Sequence, residues 1–286
     1  MKGTSREVGL VLLQKLFRLD DLHYGLWDEG LAPTLANLPL AQRRYTELLL
    51  AALRELAPPP GRVLDVGCGT GGFLVELAAL GHDAEGVSPA PELTRRARER
   101  LARAGRGEVR IFECRFEDFP PAERAAHYDA LVFSESFQYV SPPTALERAQ
   151  GLLRPGGHLL ICDFFKSAAH GDGGPGDGSM GGGHPIAAFY EAMSRTRFTI
   201  LRDEDLTARI APTLAIADDI LMRHVLPASQ ALARLLAERR PWLYRVLQLV
   251  GKRKLDKLRR KYFGGHRTPQ TFARYKTYRL IAARLQ

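Results

Sequence analysis

The stretch Arg62-Val63-Leu64-Asp65-Val66-Gly67-Cys68-Gly69-Thr70-Gly71-Gly72 constrains this chain more than any other. A short apolar run suited to a buried strand ends in closely spaced glycines and passes directly into the helix-forming segment that begins at Gly72. Glycine lets a backbone turn tightly and approach a ligand without an intervening Cβ. The helix that follows directs its unpaired N–H groups toward the same place. A strand feeding a helix through such a turn is the first half of a βαβ unit, which points to an α/β fold.

The remaining pattern agrees. Residues 4–57 read as helical, with Leu10, Leu13 and Phe17, and later Tyr45, Leu48, Leu49, Ala52, Leu53 and Leu56, recurring at three- and four-residue spacing until Pro58-Pro59-Pro60-Gly61. Helices are expected over Gly72–Leu80 and Pro91–Ala104, and strands over His82–Val87, Val109–Glu113, Ala130–Ser134 and His158–Phe164. Alternating strands and helices predict a parallel sheet covered on both faces, with ligands at the carboxyl ends of its strands. Gly171–Gly183 holds eight glycines in thirteen residues and reads as a flexible loop, either a lid or a plain insertion. A strand at Phe198–Leu201, helices between Pro212 and Lys261 and a strand at Tyr275–Arg284 complete the pattern. The division expected is 1–57 as a helical cover, 58–170 as the core, 171–266 as glycine loop and helical cap, and 267–286 as a closing strand.

The turn has the form D-x-G-x-G-x-G. A carboxylate before the first glycine repels a dinucleotide pyrophosphate and suits a cation, so a nicotinamide-dependent oxidoreductase is the weaker reading. The turn resembles motif I of the class I S-adenosylmethionine (SAM)-dependent methyltransferases, whose cofactor carries an ammonium and a sulfonium. The resemblance runs from about Arg62 to Phe165. His127-Tyr128-Asp129-Ala130-Leu131-Val132-Phe133-Ser134-Glu135-Ser136 is similar to the family's fourth-strand motif, and Leu152-Leu153-Arg154-Pro155-Gly156-Gly157 is similar to its turn into the fifth strand. It implies a Rossmann-like, seven-stranded, mostly parallel sheet with N-terminal helices and a helical cap insertion, and SAM as cofactor. The cofactor contacts it implies are Tyr24, Asp65, Gly67, Cys68, Gly69, Gly71, Ser88, Arg115, Phe116 and Ser134.

Two of those positions depart from the pattern. Ser88 stands where an acid usually grips the ribose; methyltransferases similar to cyclopropane fatty acid synthases and tocopherol methyltransferases also carry a hydroxyl residue there. Arg115 stands where an acid binds adenine, leaving Phe116 as the adenine contact and Glu117 as a substitute acceptor. A surface ion pair explains Arg115 equally well.

Leu22-His23-Tyr24-Gly25-Leu26-Trp27-Asp28 is similar to an aromatic stretch upstream of motif I in tocopherol and phosphoethanolamine methyltransferases. That likeness places Tyr24 at the methionine end of SAM and His23 or Trp27 near the acceptor, while plain anchoring of the N-terminal helix stays open. Ser134-Glu135-Ser136-Phe137-Gln138-Tyr139 resembles a stretch of C-methyltransferases acting on isoprenoids and tocopherol precursors. The catalytic candidates are therefore Glu135, to steady a cation or take a proton, Tyr139, to orient the acceptor, and His23. Methyl transfer from a sulfonium requires alignment and exclusion of water. A base is needed only if the nucleophile must lose a proton. Phe198–Ile216 resembles the insert of lipid and natural-product methyltransferases, with Ile216, Ile220, Leu221 and Met222 lining an acceptor pocket or packing a core.

Charge and composition limit the partners. From Arg234 onward there are sixteen Lys or Arg against Glu238 and Asp256, although the whole chain carries only +9. Lys252-Arg253-Lys254, Lys257 and Arg259-Arg260-Lys261, spaced around Leu255, Leu258 and Tyr262, read as a basic amphipathic helix that contacts a membrane surface or is simply solvated. Nucleic acid is disfavoured, because no amino-methylating or cysteine-based signature follows the fourth strand. No apolar run approaches the roughly 20 residues of a membrane span. Three dispersed cysteines suit a reducing compartment. A cytoplasmic protein, peripheral to a membrane at most, is expected. His170, Asp172, Asp177 and His184 lack regular spacing, so no metal is expected. The function implied is methylation of a small, lipophilic metabolite or natural product on carbon, oxygen or nitrogen. Cyclopropane synthase-like lipid modification and a non-catalytic SAM-binding protein are the alternatives.

Overall fold

Five runs form the parallel part of one sheet. They are β1 (Arg62–Val66), β2 (Asp83–Val87), β3 (Arg110–Phe112), β4 (Tyr128–Ser134) and β5 (Leu153–Lys166). β6 (Phe198–Asp205) and β7 (Lys276–Leu285) add an antiparallel edge, giving the order β3-β2-β1-β4-β5-β7-β6. This computed structural model describes residues 21, 23–120, 123–242 and 264–286. The helical reading of residues 4–20 and the basic stretch Lys252–Tyr262 lie outside the described residues.

Successive side chains of a strand point to opposite faces, and the central strands show this directly. Val63, Ala130, Val132 and Leu160 pack toward α1 (Leu38–Leu56), α2 (Gly72–Ala79) and α3 (Pro91–Arg103). Leu64, Leu131, Phe133, Leu159 and Ile161 pack toward α4 (Pro142–Leu152) and α5 (Ile186–Ser194). Both faces are apolar because both are covered, as a parallel sheet requires. The short α6 (Thr207–Ile210), then α7 (Pro212–Ile220), a π-helical turn at Leu221–Val225, α8 (Leu226–Arg239) and α9 (Pro269–Tyr275) complete the described chain.

Four expectations change. Residues 23–34 are not helical: the Leu26 and Trp27 amides donate to the Ala41 and Arg209 carbonyls at 2.8 Å, so tertiary bonds hold this segment out of a helix. β6 continues beyond Leu201 to Asp205, because Arg279 of β7 pairs with Asp203 and Asp205 across the ladder. The glycine-rich segment makes hydrogen bonds that its composition does not announce. Asp172 accepts from Gly174 N, Arg274 and Tyr275, Ser179 Oγ donates to Gly176 O, and Lys276 donates to Gly182 O. Finally, Ile216 and Ile220 pack with Trp27, Leu38 and Ala41 and so belong to a small core. Neither they nor Leu221 and Met222 line the cavity described next.

Candidate active site

The reversal of strand order between β1 and β4 opens a crevice at their carboxyl ends, where α/β sheets place their ligands. A cavity of about 860 Å³ occupies it. Its floor is the glycine turn. Gly67 has φ +81°, and a Cβ there would stand 2.5 Å from Ser136 Cβ, so only glycine lets the end of β1 pass beneath the segment after β4. The Gly67 and Cys68 amides donate to Val87 O at 2.8 and 3.1 Å, tying the turn to β2.

Asp65 lies one strand position before the turn, 2% exposed and lining the cavity. It has no hydrogen-bond or ion-pair partner among the described residues. Burial alone raises its carboxyl to about 7. A buried carboxylate without a counter-ion, beside a Cβ-free turn at a helix N-terminus, fits a cationic ligand with a polar tail. SAM, with its ammonium and sulfonium, meets that description, and Asp65, Gly67, Cys68, Gly69 and Thr70, which line the cavity there, would hold it.

The N-terminal segment closes one side. Asp21 pairs with Arg100 of α3 at 2.7 Å, and a Cβ on Gly72 would collide with Asp21 Oδ1. His23 stacks on Tyr45 at 4.6 Å and its Nδ1 donates to Tyr24 O at 2.8 Å. Burial lowers the His23 pKa, disfavouring the charged ring, while Asp21 and the bond to Tyr24 O oppose the shift.

Glu135 stands where these elements meet. It is the first residue after β4 and adopts φ +55°, a strained left-handed conformation for a side chain of its kind. Its Oε1 accepts from Tyr24 N at 2.8 Å and from Tyr278 OH at 2.9 Å. Tyr278 OH also lies 3.1 Å from Tyr45 OH, which in turn lies 3.2 Å from Ser134 Oγ and 3.3 Å from Cys162 O. Burial raises the Glu135 carboxyl to about 8, with Asp163 adding to the rise, while the Tyr24 and Tyr278 donors oppose it.

The structure brings His23, Tyr24, Asp65, Gly67, Cys68, Gly69, Ser134, Glu135 and Tyr139 to this one cavity. Tyr139 stands at its edge, 53% exposed. Four other candidates are not among the residues that line it. Gly71 precedes α2 and packs against Ala97. Ser88 is buried, its hydroxyl 3.4 Å from Ala90 N. Arg115 turns outward into an ion pair with Glu117 at 2.7 Å. Phe116 is core, edge-on to Phe133 at 5.3 Å.

Sequence reasoning passed over Asp21, Gln138, Asp163, Arg267 and Tyr278, and took Tyr45 for a packing residue. The single available signal was Tyr45, a phenol on the apolar face of α1 that needs a partner when buried. Among the described residues no group of His, Cys, Asp and Glu is arranged to hold a metal, and no helix is long and apolar enough to cross a membrane.

The pattern of the methyltransferase domain family matches residues 40–239, and the chain belongs to that family. S-adenosylmethionine is accordingly its cofactor, as the glycine turn implied. A ubiquinone biosynthesis O-methyltransferase of Xanthomonas axonopodis pv. citri (strain 306) is 37% identical over 117 residues, 40% of this chain and 48% of that protein. The match thus spans about half the length of that relative. An O-methyltransferase of Pyrenophora dematioidea is 28% identical over 213 residues, 69% of this chain and 75% of that protein. The crystal structure of a geranyl diphosphate C-methyltransferase from Streptomyces coelicolor A3(2) superimposes with a TM-score of 0.67 at 18% identity, covering 96% of this chain and 92% of that one. At that identity the likeness is one of fold.

Proposed function

We propose that the protein transfers the methyl group of SAM to a hydroxyl oxygen of a small, largely apolar molecule, with Glu135 as the base. The observation that carries this reading is Glu135 itself. A strained carboxylate on the cavity wall, held through one oxygen by Tyr24 and Tyr278 and raised to about 8, retains enough proton affinity to deprotonate a hydroxyl. Bound SAM supplies an electrophilic methyl group on a positively charged sulfur. Asp65 offsets that charge from the floor, and the apolar wall of Phe73, Leu93 and Phe164 keeps water from competing with the acceptor. The acceptor oxygen forms the new C–O bond as the C–S bond breaks, and its proton passes to Glu135. Relatives named O-methyltransferases support oxygen as the acceptor atom.

Incubation with methyl-labelled SAM and a metabolite extract tests the reading. Label should enter an alkali-stable product as a methyl ether. The Glu135→Gln variant should lose more than about 100-fold in rate, as removal of a general base does, and still bind S-adenosylhomocysteine. Label on carbon, or full activity in the variant, would refute it. The basic run after Arg234 supports a contact with anionic lipid that delivers such acceptors. Co-sedimentation with anionic vesicles that weakens between low and high salt is the expected result.

A further inference from the structure

Gln138 reaches the cavity with its carboxamide already committed. It follows the strained Glu135 by three residues, in the 3₁₀ turn Phe137–Tyr139, and lines the cavity beside Phe164, Gly181 and Gly182. Directly beneath it lies Asp163 of β5, fully buried in the sheet. Asp163 Oδ2 accepts the Gln138 backbone N–H at 2.9 Å, and Oδ1 accepts the Gln138 Nε2 at 3.2 Å and the Phe164 N–H at 2.8 Å. The second Nε2 hydrogen points to Glu135 O at 3.4 Å. An amide end that faces two acceptors must be the NH₂ end. The oxygen is therefore forced the other way, and Gln138 Oε1 lies 3.4 Å from where a Cβ on Gly182 would stand. A side chain at 182 would crowd that oxygen and the Phe164 ring, 3.5 Å from the same point; glycine, with φ +82°, keeps the space open, and both residues line the cavity.

This wall thus presents an acceptor-only oxygen of fixed direction, three residues from the base. We propose that Gln138, positioned by Asp163, is a specificity-determining residue that selects acceptors carrying a second hydrogen-bond donor, a hydroxyl or N–H, beside the reacting hydroxyl. Catechol, with two adjacent hydroxyl groups on one ring, is the simplest probe that carries such a pair. The inference rests on the cavity being the acceptor site, as proposed above. A molecule with an ether or methylene at the second position would leave Gln138 Oε1 buried without a donor, and sites built around such a bond reject analogues that lack it.

The test separates binding from transfer. The protein saturated with S-adenosylhomocysteine is titrated with catechol, with phenol and with 1,2-dimethoxybenzene, each followed by ligand-observed NMR. Catechol should bind at least ~10-fold more tightly than either analogue. In Gln138→Met, which keeps the length and removes the oxygen, that preference should fall to within ~2-fold. Asp163→Asn, which offers Gln138 Nε2 an ambiguous partner, should weaken the preference in part. S-adenosylhomocysteine affinity should stay unchanged in both variants, a readout that a loss of fold would move. Equal binding of the three probes, no binding of catechol, or a preference that survives Gln138→Met would overturn the inference. Methyl transfer from SAM to catechol is measured in parallel. Its absence alongside a Gln138-dependent binding preference would count against the transfer reaction while leaving the selectivity in place.

Discussion

Replacing Asp65 by Asn should stabilise the cofactor-free protein and cripple cofactor binding at once. Asp65 sits in a site that burial alone perturbs, raising its carboxyl from the ordinary 3.8 to about 7. A shift of roughly three units at 1.36 kcal/mol each means that keeping this group ionised costs the unliganded fold about 4 kcal/mol. The sign follows from a folded pKa above the unfolded one. The penalty is absent below about pH 4, grows as pH rises toward 7 and is complete above it. Asn is nearly isosteric and uncharged, but it leaves a buried amide short of partners, which costs about 1–3 kcal/mol. The net expectation at pH 8 is a gain of roughly 2 kcal/mol, or several degrees in Tm for a chain of this size. At pH 5 about two-thirds of the penalty has gone, so the advantage should vanish or reverse.

Cofactor binding moves oppositely. The variant loses the one buried charge facing the cation, so S-adenosylhomocysteine and SAM should bind at least ~100-fold more weakly, the usual consequence of deleting one partner of a desolvated charge contact. A proton count adds a second readout. At pH 7 the wild-type group is about half protonated, and a cation beside it lowers its pKa, so binding should release about half a proton. Calorimetry in buffers of different ionisation enthalpy measures this, and the Asn variant should lack that component. An Asp65→Asn variant less stable than wild type at pH 8 without cofactor, or one that binds the cofactor within ~3-fold of wild type, would refute this role for the Asp65 charge.

Tyr278→Phe removes a donor that favours the ionised Glu135, so the rise of kcat/KM with pH should move upward by about one unit. An unmoved profile would show that Tyr278 does not tune the base. Gly67→Ala combines φ +81° with a Cβ 2.5 Å from Ser136 Cβ, and should lower stability by roughly 2–4 kcal/mol in urea titrations. Ser88→Ala, in contrast, alters a buried hydroxyl away from the cavity and should change SAM affinity by less than ~3-fold in the same calorimetric assay.

What could be read from the sequence was what is local. The strand, turn and helix from Arg62 to Ala79 declare themselves by period and by glycine, and Asp65 is placed by counting back from the turn. A strand ending at Leu201 follows the apolar pattern, which stops there; Asp203 and Asp205 stay in β6 through the ladder to β7 and the ion pairs with Arg279, about 75 residues on. Ser88, Arg115 and Phe116 occupy the right stations along the chain, yet side-chain direction is set by neighbours that no pattern displays: Ala90 N for Ser88, Glu117 for Arg115, Phe133 for Phe116. Eight glycines over Gly171–Gly183 suggest freedom, but Asp172 and Lys276 set how the segment lies, and neither glycine content nor spacing encodes those contacts.

Glu135 shows why the remainder required three dimensions. Its two donors come from 111 residues before it and 143 residues after it in the chain. Each alone has an ordinary reading: Tyr24 belongs to an aromatic anchor and Tyr278 to a buried strand of the sheet. Only when β7 inserts beside β5, and the segment before α1 crosses the ends of β1 and β4, do both reach one carboxyl oxygen. The same convergence removes water from Glu135, and removal of water raises its proton affinity. Enclosure and basicity are therefore not separate properties of this site. The segment from Asp21 to Asp28 supplies both, fastened at one end by Arg100 to Asp21 and at the other by Arg209 to Asp28. Loosening either ion pair should thus depress transfer by lowering the basicity of Glu135 as much as by admitting water.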